Sequence, residues 1–192
     1  TSVTSSGDTA GDTTGNYVVQ VRRSSDDTIK SFTADSITNG DLLSFVNEHH
    51  IVYSSDFSSD VNSFSALDGD SISRIDSFGG EDNVLKFQVG TGSSSHRITR
   101  TGGLIANEKM NFSIKVYIPS SNADVNSVLI RDASSNVVIS STTPASDQWV
   151  TLSAENLTNI TNNVLRIRFQ KDGSNFTGNN TDVAYIKDIV TT

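Results

Sequence analysis

Residues 110–118 read MNFSIKVYI and residues 163–170 read NVLRIRFQ, and these two stretches decide the fold. In the first, Phe112, Ile114, Val116 and Ile118 alternate with Ser113, Lys115 and Tyr117. In the second, Leu165, Ile167 and Phe169 alternate with Arg166 and Arg168, after Val164. A period of two is the period of a strand, so each stretch puts its apolar set on one side and its cations on the other. That is the pattern of a sheet with one face on a core and the other toward water.

The same grammar recurs on both sides. Candidate strands are 50–54, 63–67, 71–76, 83–89, 96–100, 109–118, 127–131, 137–141, 148–153, 164–170 and 183–190, separated by clusters of Ser, Thr, Asn, Asp and Gly. None of the intervals holds the crossover helix that a parallel sheet requires. The expected fold is therefore all-β and antiparallel, a two-sheet sandwich or a barrel. Composition agrees: the 31 Ser, 20 Thr, 17 Asn and 18 Asp make 86 of 192 residues. These short polar side chains bond to their own backbone and favour turns over helix interiors. With 34% hydrophobic residues arranged in alternating runs, the chain has the material for a core and does not read as disordered.

The N-terminal quarter is different. Residues 1–15 carry only Val3 and Ala10 as apolar groups, the composition of a flexible arm or linker. Tyr17, Val19 and Val21 then alternate into the pair Arg22 and Arg23, and a turn at 24–27 returns the chain along 28–33 as a hairpin. In ITNGDLLSFVNEHH, residues 37–50, Asn39 or Asp41 can cap a helix with Leu42, Leu43, Phe45 and Val46 on one face. Three segments follow: an arm at 1–15, a small hairpin and helix module at 16–50, and a sandwich at 51–192.

Charge and chemistry exclude several classes. A formal net charge of −8 opposes binding to a phosphate backbone, so no nucleic-acid partner is expected. The absence of cysteine excludes disulfides, thiolate zinc sites and thiol nucleophiles. No run approaches the ~20 apolar residues of a membrane-spanning helix, so no membrane insertion is expected. There is no Gly-x-Ser-x-Gly, HExxH or phosphate loop, and the four glutamates (Glu48, Glu81, Glu108, Glu155) fall in no cleft motif, so the chain reads as non-enzymatic. Trp149, next to Val150 and Leu152, is expected in the core, and Tyr53, Tyr117 and Tyr185 as half-buried strand residues.

Two stretches resemble known families. Residues 17–46, through Val21, Arg22, Arg23, Ser24, Ser25, Asp26, Phe32, Thr33, Ala34, Ile37, Gly40, Leu42, Phe45 and Val46, resemble a module of tail and fibre proteins of tailed bacteriophages. The remainder is similar to a carbohydrate-binding-module-like jelly roll that follows that module in phage proteins. Its landmarks are Asp56-Phe57, the loop from Gly79 to Asn83, Tyr117 to Ser120, Trp149, and Tyr185 to Ile189.

The resemblance implies a virion structural protein, the surface module of a tail fibre or of a capsid fibre or decoration protein. Its partners would be other virion proteins and sister subunits in a homo-oligomer, trimeric by family habit, with host-surface glycan as a further contact. Arg22, Arg23 and Asp26 are its candidate assembly residues. The alternative is a secreted carbohydrate-binding module attached to an extracellular enzyme or cell-surface protein. Related modules hold a structural Ca²⁺, and by resemblance its ligands would come from Asp56 or Asp60, Glu81, Asp82 and Asp188, hard oxygen donors of the kind calcium takes. Ser58 stands where the family has a Glu.

Overall fold

The computed structural model describes the backbone of residues 2–6, 18–22 and 29–33, and residues 53–67, 69–91 and 95–192. The chain divides into two compact units, Thr1–His50 and Ile51–Thr192. In the first, β1 (Ser2–Ser6), β2 (Val18–Arg22) and β3 (Ile29–Thr33) form a three-stranded antiparallel sheet in that order. The expected hairpin is β2 with β3, registered Val19 opposite Phe32 and Val21 opposite Lys30. Ser2–Ser6, inside the stretch read as an arm or linker, adds to it as a third strand. The exposed edge of a hairpin offers a ladder of unpaired backbone groups, and extended Ser, Thr and Val can use it. Of the assembly candidates, Arg22 ends β2, with its backbone opposite Ser2 and Ile29. Arg23, Asp26 and the expected helix at 37–50 lie outside the described residues.

All eleven strands expected between 50 and 190 are present in the second unit, with ends shifted by a few residues. They are β4 (Tyr53–Ser55), β5 (Ser65–Ala66), β6 (Ser71–Phe78), β7 (Glu81–Gln88), β8 (His96–Thr101), β9 (Met110–Tyr117), β10 (Ser127–Asp132), β11 (Val137–Thr142), β12 (Trp149–Leu157), β13 (Val164–Gln170) and β14 (Val183–Thr191). Every pairing is antiparallel. One sheet runs β11-β10-β13-β8-β5, the other β12-β9-β14-β7-β6 with β4 also on β14. The unit is an antiparallel jelly-roll β-sandwich.

The period-two pattern does what it predicts. Phe112, Ile114 and Val116 of β9 and Leu165, Ile167 and Phe169 of β13 are buried, while Ser113, Lys115, Arg166 and Arg168 face outward. The sheets meet where Phe87 of β7 stacks on Phe169 of β13, ring centroids 4.1 Å apart. Each fully buried Ile, Leu or Phe contributes about 1.5–3 kcal/mol, and more than two dozen hydrophobic side chains share this core.

Irregularities set where polar groups point. In β14 the alternation breaks between Lys187 and Val190, and Asp188 takes a positive φ of 47°. This bulge lets Ile186 and Ile189 both enter the core while Lys187 and Asp188, adjacent in sequence, both reach the outer surface.

Loops are stapled by buried aspartates. Asp182, just before β14, accepts from the backbone N–H groups of Ala123, Asp124 and Val125 at 3.0, 2.7 and 2.7 Å. Asp132, ending β10, accepts from the N–H groups of Asn136, Thr161 and Asn162 at 2.8, 3.1 and 3.1 Å. Asp70 accepts from Gly90 N–H and lies 2.8 Å from His96 Nδ1, with both side chains fully buried. The backbone closes tightly here: a Cβ on Gly178 would sit 1.9 Å from the Gly90 carbonyl oxygen and 2.8 Å from the His96 ring.

Candidate functional site

The outer face of the six-stranded sheet is closed upon itself. Register aligns Trp149 (β12), Tyr117 (β9) and Tyr185 (β14) in one row. The β6–β7 hairpin tip folds Phe78 onto that row, stacked on Tyr185 at 3.6 Å and edge-on to Tyr117 at 4.9 Å. Trp149 meets Tyr117 edge-on at 5.7 Å and its Nε1–H donates to the Phe78 carbonyl at 3.3 Å. Gly79 makes the tip possible: its φ is +61°, and a Cβ there would lie 3.0 Å from Trp149 Nε1.

Trp149 is thus not the core residue that the sequence suggested. It is half-buried in a surface aromatic cluster, because β12 turns it to the face opposite Leu152. A ring that is stacked or clamped by its neighbours offers little face to a sugar.

Beside the rings lies a neutralised charge cluster. Lys115 Nζ bonds Glu81 Oε1 at 3.0 Å and Asp188 Oδ2 at 3.1 Å, and Lys187 Nζ bonds Glu81 Oε2 at 2.9 Å. The two ammonium partners, Lys187 first, hold the Glu81 carboxyl below the usual range, and Glu81 and Asp188 raise Lys115.

This geometry locates the five residues to which calcium ligation was assigned by resemblance. Glu81 and Asp188 come together, but the cation between them is the Lys115 ammonium. Asp56 closes an Asx turn on Ser58 N–H at 3.0 Å, Asp60 does the same on Asn62 N–H, and Asp82 is exposed on β7 opposite Ser77. Among the described residues, no three His, Asp or Glu side chains gather as a cation site. At Glu81 and Asp188 a +1 lysine already satisfies oxygens that would have to turn toward a calcium ion.

The outer face of the five-stranded sheet is built the other way. Across its central strands, Arg131 (β10) stands directly opposite Arg166 (β13), which stands opposite Thr99 (β8). Two residues along, Leu129 stands opposite Arg168, which stands opposite Arg97. Ser65 of β5 extends the first row, its hydroxyl 3.0 Å from that of Thr99. Strands lie about 4.8 Å apart and same-face neighbours about 6.8 Å along a strand, so four guanidinium groups share a small patch.

Arg166 Nη1 donates to the Ala133 carbonyl at 2.9 Å, and Arg168 Nη2 to Ser95 Oγ at 3.1 Å and Asn175 Oδ1 at 2.6 Å. Among the described residues no carboxylate pairs with Arg131, Arg166 or Arg168, and the buried Nε–H of Arg131 and of Arg166 lack an acceptor. Burial, then the charges of Arg131, Arg97 and Arg166, push Arg168 below the ordinary arginine value. Sequence reasoning placed Arg166 and Arg168 on the water side but missed the grid. The i, i+2 arginine spacing was visible, but the register that brings Arg131 and Arg97 beside it was not.

No family model matches the chain, and no curated protein does. The fold does have solved relatives. The CBM22-1 xylan-binding domain of Paenibacillus barcinonensis Xyn10C matches with a TM-score of 0.53 at 14% identity, over 74% of this chain and 94% of that one. The CBM22-1–GH10 modules of Clostridium thermocellum Xyn10B, solved with xylohexaose, match at 0.53 and 11% identity over 74% of this chain, which spans 28% of theirs. The K1 cleaved adhesin domain of Lys-gingipain from Porphyromonas gingivalis matches at 0.52 and 10% identity, over 73% and 96%. At these identities what is shared is the fold.

Proposed function

We propose that residues 51–192 form a non-catalytic carbohydrate-binding module, an exposed part of an extracellular protein, holding glycan on the outer face of the five-stranded sheet. The observation that carries this reading is that face: its central strands present Ser65, Thr99 and four arginines side by side and outward, and among the described residues no carboxylate pairs with Arg131, Arg166 or Arg168. Hydroxyls and guanidinium groups are the donors that orient sugar oxygens. The similarity to solved modules, one of them crystallised with xylohexaose, supports the same reading. The opposite face lends itself less well, since its four aromatic rings pack on one another and Lys115 and Lys187 are engaged by Glu81 and Asp188.

The virion-fibre reading rests on the motif at residues 21–46. It would put the same sandwich on a particle surface, where attachment to a host glycan is the same task. A trimer and a structural calcium are expectations of that resemblance, read directly by native mass and by melting with and without EDTA. The function itself is tested by affinity electrophoresis of the full chain against immobilised plant, bacterial and animal polysaccharides. Saturable retardation by at least one of them is expected. Retardation by none would sink the proposal.

A further inference from the structure

Building on the carbohydrate-binding reading, we infer that the glycan is acidic: a polysaccharide bearing uronate carboxylates or sulfate groups, held by Arg131, Arg166, Arg168 and Arg97 on the five-stranded sheet.

The argument starts from a charge anomaly. Residues 51–192 contain eleven Lys and Arg against fifteen Asp and Glu, yet four of the eleven stand together on three adjacent strands. Like charges directly opposite one another destabilise a sheet, so the arrangement has a cost in the free protein. Elsewhere in this unit four of the other seven cations lie beside carboxylates: Arg74 lies 2.6 Å from Asp76, Lys171 2.7 Å from Asp124, and Lys115 and Lys187 share Glu81. Among the described residues no carboxylate is supplied to Arg131, Arg166 or Arg168. An anion supplied from outside would relieve the repulsion and give the guanidinium groups planar, two-pronged acceptors.

The choice among polyanions follows from the rest of the surface. A nucleic acid is held by base stacking as well as by charge, and no aromatic ring stands among the described outward residues of these three strands to stack a base. A glycan uses both kinds of group present, since Ser65 and Thr99 match its hydroxyls and the arginines match its acid groups. Leu129, outward between Val128 and Ile130, gives the patch one apolar contact for the face of a ring.

The probes are polygalacturonate and chondroitin sulfate, with neutral xylan, poly-glutamate and single-stranded DNA alongside, titrated against the full chain in 50 mM and 300 mM salt. Polygalacturonate or chondroitin sulfate should bind more tightly than xylan by at least tenfold, and raising the salt should weaken that binding by about tenfold or more, as screening of several charge contacts requires. Replacing Arg166→Gln together with Arg168→Gln should remove most of it, whereas Arg166→Lys, which keeps charge and loses the fork, should fall between.

Melting temperatures of these variants at or above that of the wild type exclude misfolding as the cause, and if the double variant melts early, Arg131→Gln alone serves instead. Xylan binding that is salt-insensitive and indifferent to the arginine changes overturns the acidic class while leaving the carbohydrate-binding reading standing. No binding to any glycan overturns both. Equal binding of poly-glutamate or DNA also overturns it, by showing a patch that recognises charge alone.

Discussion

Both outer faces of the sandwich carry long cations at alternate strand positions, Lys115 and Lys187 on one and Arg97, Arg131, Arg166 and Arg168 on the other. On the six-stranded sheet, Glu81 and Asp188 lie within 3.1 Å of the lysine ammonium groups, and four aromatic rings close over one another beside them. On the five-stranded sheet, arginine faces arginine. Both faces alternate equally well in sequence, so alternation alone does not separate a structural surface from a binding surface. What separates them is whether the fold supplies the counter-charge. Among the described residues Arg131, Arg166 and Arg168 have no carboxylate partner, and a face that leaves such charges uncompensated is one whose partner is elsewhere.

The two sheets are alike in one respect, and the largest expected effect tests it. Each is anchored by a buried aspartate, Asp182 beside β14 and Asp132 at the end of β10, accepting three backbone N–H bonds apiece. Removing either carboxylate by Asp182→Ala or Asp132→Ala leaves three donors without their acceptor and should cost roughly 3–5 kcal/mol, read by urea unfolding. Burial raises both carboxyls, but the hydrogen bonds outweigh it, Val125 leading for Asp182 and Asn136 for Asp132, and both titrate below the ordinary aspartate value. A depressed carboxyl stabilises the fold above its unfolded value. That contribution disappears as pH falls from about 4 through the folded values, and the alanine variants should lose this part of the acid transition. An equal loss in the variants would separate the staples from the acid response.

Next in size is the device that closes the aromatic face. Gly79→Ala puts a Cβ against Trp149 Nε1 at 3.0 Å in a left-handed backbone conformation, and should destabilise by about 1–2 kcal/mol while changing Trp149 fluorescence. Glycan binding should be unaffected. If binding falls with it, the six-stranded face is the ligand surface and the contrast drawn above is reversed.

The fold was open to reading from the sequence because alternation reports directly on which side meets the core. All eleven sandwich strands could be placed, since each carries its own local pattern and ends in Ser, Asn, Asp or Gly. Position across strands was not open in the same way. Trp149 was read as core from Val150 and Leu152, but its parity puts it outward, and only the fold of the Phe78 tip gives it cover. Asp56, Asp82 and Asp188 could be named as oxygen donors, but not that Lys115 would stand between Glu81 and Asp188. The bulge at Asp188, which brings two consecutive residues to one face, leaves no mark in a pattern of alternating polarity. Arg131 and Arg166 are 35 positions apart and become neighbours only through register.

A smaller effect probes the neutralised cluster. Lys115→Gln removes the cation shared by Glu81 and Asp188, leaving Glu81 only Lys187. These side chains are about one-third exposed, so the cost should stay near 0.5–1 kcal/mol and shrink in 1 M salt. Chelation of wild-type protein should leave the melting temperature where it is, whereas a drop would mean that calcium competes successfully with the lysine for Glu81 and Asp188.

The smallest effect has the opposite sign. If Arg131 and Arg166 oppose each other without a counter-ion, replacing both with Gln removes a directly opposed like-charge pair and should stabilise the free protein by about 0.2–1 kcal/mol. Salt decides the interpretation. The gain should be largest in 10 mM salt, where the Debye length is about 30 Å, and fade by 1 M, where it is about 3 Å. Overall charge does not imitate this result, because the substitution takes the chain from −8 to about −10 and on that ground should destabilise it. A stabilised double variant with weakened anion binding would mean that the face is kept strained for its ligand. A destabilised one would mean that the arginines hold the sheet together, and the two faces would then differ only in which side chains perform the same structural task.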